Sequence, residues 1–283
     1  MQAYQQNTDE WREMRRQKIG ASDAPVIMGV SPWMTPYQLW EEKLGLKPDK
    51  ETNSWMQRGN TLEERARINF EKATGLIMVD QVVFHPTYDW MMASLDGIDF
   101  PHENIVEIKC PGAQDHEMAC EGFIPPKYYP QLQHQLEVTG LDMAYYYSFD
   151  GESGALVKVF RNQEYIDKMV KKEKAFLDCV QNMEPPELSD KDYHERTDDL
   201  WLSVSSKWVQ CHSALQRLKA EEEELRETLI QLVGNSNARG GGIKISRSVR
   251  KGSVDYKAIP ELKQVNLDNY RKSSTESWRI TES

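Results

Sequence analysis

The stretch from Ile77 to Lys109 limits the possible folds more than any other part of the chain. It holds three strand-like runs, residues 77–85, 91–100 and 105–109, in which Val, Ile, Phe and Met recur. Pro101-His102-Glu103-Asn104 separates the last two runs and reads as a hairpin loop. Helical patterns stand on both sides. Residues 9–18, 37–44 and 62–71 precede the strands; residues 128–139 and a helix opening at Asn162 follow, with strands at 144–149 and 156–160 between them. This order predicts an α/β fold with a central mixed sheet flanked by helices.

The hairpin also carries the most informative side chains. Ser94-Leu95-Asp96-Gly97 lies on one strand and Glu107-Ile108-Lys109 on the next. Side chains alternate along a strand, so Glu107 and Lys109 share a face, and the hairpin brings Asp96 alongside Glu107. Two carboxylates held together repel unless a cation sits between them. Oxygen-only ligands favour Mg²⁺ or Mn²⁺ over zinc, and the Ile108 carbonyl is a further candidate ligand. A neighbouring lysine can orient a water, help deprotonate it, or stabilise charge building on a phosphate. Spacing alone does not separate this reading from ordinary solvated strand residues.

Four motifs in order make the sequence resemble the YqaJ-type viral recombinases, the phage alkaline exonucleases with the PD-(D/E)xK nuclease fold. They are Trp11-x3-Arg15-x3-Ile19-Gly20-Ala21-Ser22; Arg58-Gly59-Asn60-x2-Glu63-x2-Ala66; Ser94-x-Asp96-Gly97 with Glu107-Ile108-Lys109-Cys110-Pro111; and Tyr128-Tyr129-Pro130-Gln131-Leu132-Gln133-His134-Gln135. Leu95 stands where the nuclease signature often has proline. The resemblance implies Asp96, Glu107, the Ile108 carbonyl and Glu63 as ligands of one or two Mg²⁺ or Mn²⁺ ions. It implies Lys109 and Gln131 as further catalytic groups. Arg15 and Ser22 would bind a terminal 5′ phosphate, with Ser94 as an additional donor, and Lys127, Tyr128 and Gln135 would contact DNA. Guanidinium is a bidentate phosphate donor, which suits Arg15 to that role. His134 reads as a hydrogen-bonded helix histidine rather than a base.

The implied activity is 5′ to 3′ digestion of one strand of linear double-stranded DNA to mononucleotides, leaving a 3′ overhang for recombination by strand annealing. The resemblance also implies a homotrimer and a single-strand annealing protein as partner. A restriction-like or structure-specific endonuclease of the same fold, and a non-catalytic DNA-binding or annealing protein, are the rivals.

Charge first argues against a nucleic-acid partner, since 35 Lys and Arg stand against 45 Asp and Glu. The distribution weakens that objection. Residues 1–189 carry −11, residues 190–238 carry −4, and residues 239–283 carry +5. Glu184-Pro185-Pro186-Glu187 interrupts helix, which places a boundary between a nuclease domain, 1–189, and an appendage, 190–283. Within the appendage, Trp201, Val204, Trp208, Cys211, Leu215, Leu218, Leu225, Leu229 and Leu232 follow a heptad stripe that only Glu222 breaks. This predicts a long amphipathic helix over 200–233, laid on its own domain or else used as a coiled-coil hairpin or partner-binding helix. Gly240-Gly241-Gly242 reads as a hinge, followed by a basic strand at 243–250 that Lys251-Gly252 turns back toward Tyr256. The appendage is expected to contact DNA or the annealing partner. Cys110, Cys120, Cys179 and Cys211 form no CxxC pair and predict neither zinc nor disulfides. The absence of a long apolar run or signal-like N-terminus predicts no membrane association and a cytoplasmic location.

Overall fold

The computed structural model describes residues 8–47, 54–253, 255, 258–265, 267–270 and 272, for residues 9, 54–60, 263, 264, 268 and 269 the backbone alone. The chain divides into two compact units, Met1–His194 and Glu195–Ser283.

In the first unit a mixed sheet forms from β1 (Ile19–Gly20), β2 (Met78–Phe84), β3 (Met91–Asp99), β4 (Ile105–Lys109), β5 (Met143–Phe149) and β6 (Gly154–Phe160). The order is β1-β3-β4-β5-β6, with β2 paired to β3. β1 runs parallel to β3 and β4 parallel to β5; the other neighbours are antiparallel. Helices α1 (Asp9–Arg16), α2 (Ala24–Ile27), α3 (Pro36–Lys43), α4 (Ser54–Thr74), α5 (Ala113–Cys120), α6 (Tyr129–Thr139) and α7 (Gln163–Asn182) complete it.

Strand alternation builds a layer on each face of the sheet. Met91, Ala93 and Leu95 of β3 and Tyr146 of β5 pack with Leu132 and Leu136 of α6. On the other face Val106, Ile108, Tyr147 and Phe149 pack with Ala66 and Phe70 of α4. Glu107 and Lys109 alternate with Val106 and Ile108, so they look toward α6.

Gly97 lies where β2, β3 and β4 meet. A Cβ there would fall 2.7 Å from Met78 Cβ and 2.8 Å from Val106 Cγ1, so only glycine lets the three strands close. Pairing between β3 and β4 covers Ile98↔Ile105 and Gly97↔Val106. Past that point the Asp96 carboxylate takes the place of a backbone acceptor and receives the Ile108 amide at 2.8 Å. The loss of ladder pairing there opens the sheet at the candidate site.

Several local predictions shift. α4 begins at Ser54 and not after Thr61, so Gly59 and Asn60 lie inside a helix. An interior glycine costs about 1 kcal/mol, which a long helix tolerates when tertiary packing holds its other end. α5 has no counterpart in the sequence reading, because His116 and Ala119 alone are buried and its periodic signal is faint. Ile19 and Gly20 read as a helix break but form a short parallel strand on Met91 and Met92.

His134 and Glu173 are fully buried. Imidazole Nδ1 lies 2.8 Å from the Glu173 carboxylate and Nε2 lies 2.9 Å from the Met92 carbonyl. Both ring nitrogens face acceptors, an arrangement that suits imidazolium. Burial alone would lower the histidine pKa, but Glu173 outweighs it and the pKa is raised. A raised folded pKa gives stability that is complete below about pH 6.5 and is lost as pH rises through the folded value. Glu173→Gln supplies an amide donor to neutral imidazole. Urea unfolding from pH 5 to 9 should show wild type losing up to about 1.4 kcal/mol per pH unit on the alkaline limb. The variant should lack that slope; equal slopes would refute the ion pair.

The second unit contains α8 (Asp199–Val233), β7 (Ala238–Gly240) and β8 (Ile243–Ile245). No residue of α8 is buried, and Trp201, Val204, Leu215, Leu218, Leu225 and Leu232 of its stripe are exposed. The hairpin turn falls earlier than expected. Gly241 and Gly242 have positive φ, 56° and 84°, and connect β7 to β8 directly, so the triple glycine is the turn itself. Tyr256, placed in the return strand by the sequence, and residues 273–283 lie outside the described residues. Among the described residues no helix is long and apolar enough to cross a membrane.

Candidate active site

A cleft of about 1230 Å³ opens beside the separated ends of β3 and β4. Arg15, Ser22, Glu63, Asp96, Ile108, Lys109, Lys127, Tyr128 and Gln131 all line it. Residues scattered from Arg15 to Gln131 in the sequence therefore share one space. Three candidates stand elsewhere. Glu107 is 1% exposed and lies behind the lining, Gln135 is fully buried, and the Ser94 hydroxyl accepts Trp11 Nε1 at 3.2 Å.

Glu107 is the hub of the inner wall. Gln131 Nε2 donates to its Oε1 at 2.6 Å, Gln135 Nε2 donates to Oε2, and Lys109 Nζ also donates to Oε1. The four-residue spacing of Gln131 and Gln135 puts both amides on the α6 face that meets β4. Gln135 was expected on DNA; in the structure it orients Glu107, because its helix face points into the core. Gln133 points elsewhere and donates to the Phe160 carbonyl.

The acids of the site are short of positive charge. Burial, then the neighbouring Glu107, pushes the Asp96 pKa well above the ordinary aspartate value, against the pull of Lys109. Burial and Glu107 also raise Glu63. Lys109 stays protonated: burial works against its charge, but Glu107 and Asp96 raise its pKa. Among the described residues no three His, Cys, Asp or Glu side chains form a preassembled metal cage. The donor chemistry nevertheless fits a hard divalent cation, since raised, mutually repelling carboxylates are what such an ion would relieve.

On the α1 side, Arg15 donates to Ser22 Oγ at 2.5 Å and to Asp23 Oδ1 at 3.2 Å. Asp23 Oδ2 accepts the Gly20 amide at 2.9 Å and Lys43 Nζ at 2.6 Å. Lys43 also donates to the Arg15 and Lys18 carbonyls, at 2.9 and 2.7 Å, which saturates its three protons. Burial alone would raise the Asp23 carboxyl, but Lys43 and Arg15 hold it down to about 2. The sequence reading missed this support. The meeting of Asp23 and Lys43 depends on how α3 docks, which no local pattern reveals. On the opposite wall, Lys127 pairs with Asp115 at 2.6 Å and lies 5.1 Å from the Trp33 ring and 5.4 Å from the Tyr128 ring. Burial pushes the Tyr128 hydroxyl up to about 12, so it is a neutral donor at working pH.

Residues 10–142, which contain every one of these groups, match the model of the YqaJ-like viral recombinase domain. Over these residues the chain is similar to the YqaJ-type viral recombinase family. The YqaJ protein of Bacillus subtilis (strain 168) is 33% identical over 174 residues, which cover 59% of this chain and 54% of that protein. The chain thus spans about half the length of this curated relative. Among solved structures, the alkaline exonuclease LHK-Exo of Laribacter hongkongensis is similar at 28% identity and a TM-score of 0.53, over 62% of this chain and 94% of that one. Its complex with dAMP gives 27% identity and a TM-score of 0.54 over the same shares. The first unit has the α/β fold of the PD-(D/E)xK type, with Asp96 on β3 and Glu107 and Lys109 on β4.

Proposed function

We propose that the protein is a divalent-metal-dependent exonuclease that digests one strand of linear double-stranded DNA from its 5′ end. The observation that carries this reading is the single cleft shared by Asp96, Lys109, Arg15 and Ser22. A place for cutting a phosphodiester and a place for holding a phosphate open into the same space. Likeness to LHK-Exo supports exonuclease chemistry.

Asp96, Glu107, the Ile108 carbonyl and Glu63 would hold Mg²⁺ or Mn²⁺, as one or two ions. When bound, the metal supplies Lewis-acid stabilisation of charge building on the phosphate and makes a water a better nucleophile. Lys109 is cationic and stabilises the same charge. Glu107, fixed by Gln131 and Gln135, holds the Lys109 ammonium in place. Arg15 and Ser22 grip the terminal 5′ phosphate and set which bond lies over Asp96. Water oxygen bonds to phosphorus, the P–O3′ bond breaks, and the leaving O3′ takes a proton. The released nucleotide keeps its own 5′ phosphate. The shortened strand carries a new one, ready for Arg15 again. The remaining 3′-ended strand then serves strand annealing, with a single-strand annealing protein as partner and a homotrimer as working form.

The test is digestion of linear duplex with 5′-phosphate or 5′-hydroxyl ends, beside a covalently closed circle, in Mg²⁺ or EDTA. Only linear DNA should disappear, only with metal, and faster when phosphorylated. Efficient cutting of the circle would reject the proposal in favour of an endonuclease. In the same assay Arg15→Ala removes a charge-assisted hydrogen bond of about 1.5–3 kcal/mol. KM for phosphorylated ends should rise roughly 10- to 100-fold while 5′-hydroxyl ends change little. An equal loss on both ends would remove Arg15 from the phosphate site.

A further inference from the structure

We infer that the C-terminal hairpin of the second unit is a separate, sequence-independent contact for the backbone of duplex DNA. The inference rests on the DNA-directed reading of the YqaJ-type domain for its partner, but it uses none of that domain's residues.

From Thr228 to Val254 the chain contains five cations, Arg239, Lys244, Arg247, Arg250 and Lys251, and no acid. All five are exposed. Among the described residues none of them forms an ion pair, whereas other exposed cations, such as Lys168, Lys174 and Arg226, do. The fold concentrates these charges. Arg239 and Lys244 are direct cross-strand partners in the β7–β8 ladder. Like charges placed opposite one another destabilise a two-stranded ribbon, which already has little stability of its own. Arg247 is fixed close by: its amide donates to Asn237 Oδ1 at 2.9 Å and its guanidinium approaches Asn235 Oδ1 at 3.4 Å. The turn is glycine, with positive φ at Gly241 and Gly242, so no bulky side chain shields the ribbon tip.

Such a cationic ribbon fits a polyanion with regularly spaced charges. Phosphodiester backbone matches it, since exposed Lys and Arg bind phosphates by counterion release without reading sequence. Duplex is favoured over single strand by what is missing: between Gly234 and Ser253 there is no Phe, Tyr or Trp on which an unpaired base could stack. The hairpin would hold the substrate between successive cuts and so increase the number of nucleotides removed per encounter.

The experiment uses the full chain with Arg239, Lys244, Arg247, Arg250 and Lys251 all changed to Gln. A second variant exchanges Arg for Lys and Lys for Arg at the same five positions. Affinity for a blunt duplex, for a single strand of equal length and for phosphatidylserine vesicles is measured across a salt series, in EDTA, and kcat is read separately at saturating duplex with Mg²⁺. The Gln variant should bind duplex at least about 10-fold more weakly, and its log–log salt slope should fall by roughly 0.9 for each phosphate no longer neutralised. Its kcat should be unchanged and its digestion less processive, while the charge-exchanged variant binds like wild type. Unchanged duplex affinity and slope would overturn the inference. So would a loss confined to the single strand, or to the vesicles. Because binding is read without metal, the slope is informative even for a chain that digests nothing.

Discussion

Asp96→Asn should make the metal-free protein more stable while removing its nuclease activity. The Asp96 carboxylate is held half-buried in the cleft wall against Glu107, and the Ile108 amide and the field of Lys109 favour its charge. The side-chain oxygen of Asn still accepts the Ile108 amide, so the opening between β3 and β4 is preserved. What disappears is the repulsion. An acid whose folded pKa is raised makes stability fall as pH climbs from about 3.8 through the folded value. Wild type in EDTA should show that decline and Asp96→Asn should not. At neutral pH the variant should gain about 1–3 kcal/mol in urea unfolding. Its activity should fall about 10³-fold or more, since removal of a metal-holding carboxylate forfeits several kcal/mol of transition-state stabilisation. A variant less stable than wild type in EDTA would show that Asp96 is not a strained ligand waiting for a cation.

Glu107→Ala should abolish activity as completely but shift stability in the opposite direction. Glu107 accepts from Gln131, Gln135 and Lys109 at once. Its loss strands two amides in a wall that is 9% exposed at Gln131 and closed at Gln135. Unsatisfied buried donors cost about 1–3 kcal/mol each, and breaking a buried charged pair from one side costs about 3–5 kcal/mol. A fall of about 3–5 kcal/mol is therefore expected in urea unfolding. The same measurement on Gln135→Leu should lower stability less and activity only partly, because Gln131 and Lys109 still hold Glu107. If Glu107→Ala proved as stable as wild type, the hub would be wrong even if activity were lost.

The two acids were equally legible in the sequence, and their difference was not. Strand alternation and the Pro101–Asn104 hairpin loop were enough to put Asp96, Glu107 and Lys109 together, because a hairpin fixes its own register locally. The role of Gln135 depended on which side of α6 faces the sheet. Four-residue spacing pairs Gln135 with Gln131 but leaves open whether that face meets DNA or protein. Asp23 and Lys43 were less legible still, since 20 residues separate them and their contact arises from α3 docking against the end of α1. β1 was hidden for a similar reason. Two residues carry no periodicity, and Ile19-Gly20 becomes a strand only because β3 offers an edge. In the second unit, the triple glycine announced a break, but hinge and turn have the same composition. Only the backbone angles distinguish them.

Net charge also acquires a structural meaning. The excess of acids includes Glu63 and Asp96, which line one cleft, and Glu107 behind its wall, while the cations of the hairpin stand exposed without acids of their own. A formal charge of −10 is therefore compatible with the two DNA contacts proposed above, since net charge describes the average surface and not a local groove or ribbon.

The most direct test of the central claim follows two labels on one linear, 5′-phosphorylated duplex, one at each end of the same strand, through a time course with Mg²⁺. The 5′ label should leave first, as a mononucleotide, while the 3′ label stays in a strand that shortens progressively. Early release of the 3′ label, or appearance of internal fragments carrying either label, would contradict the claim.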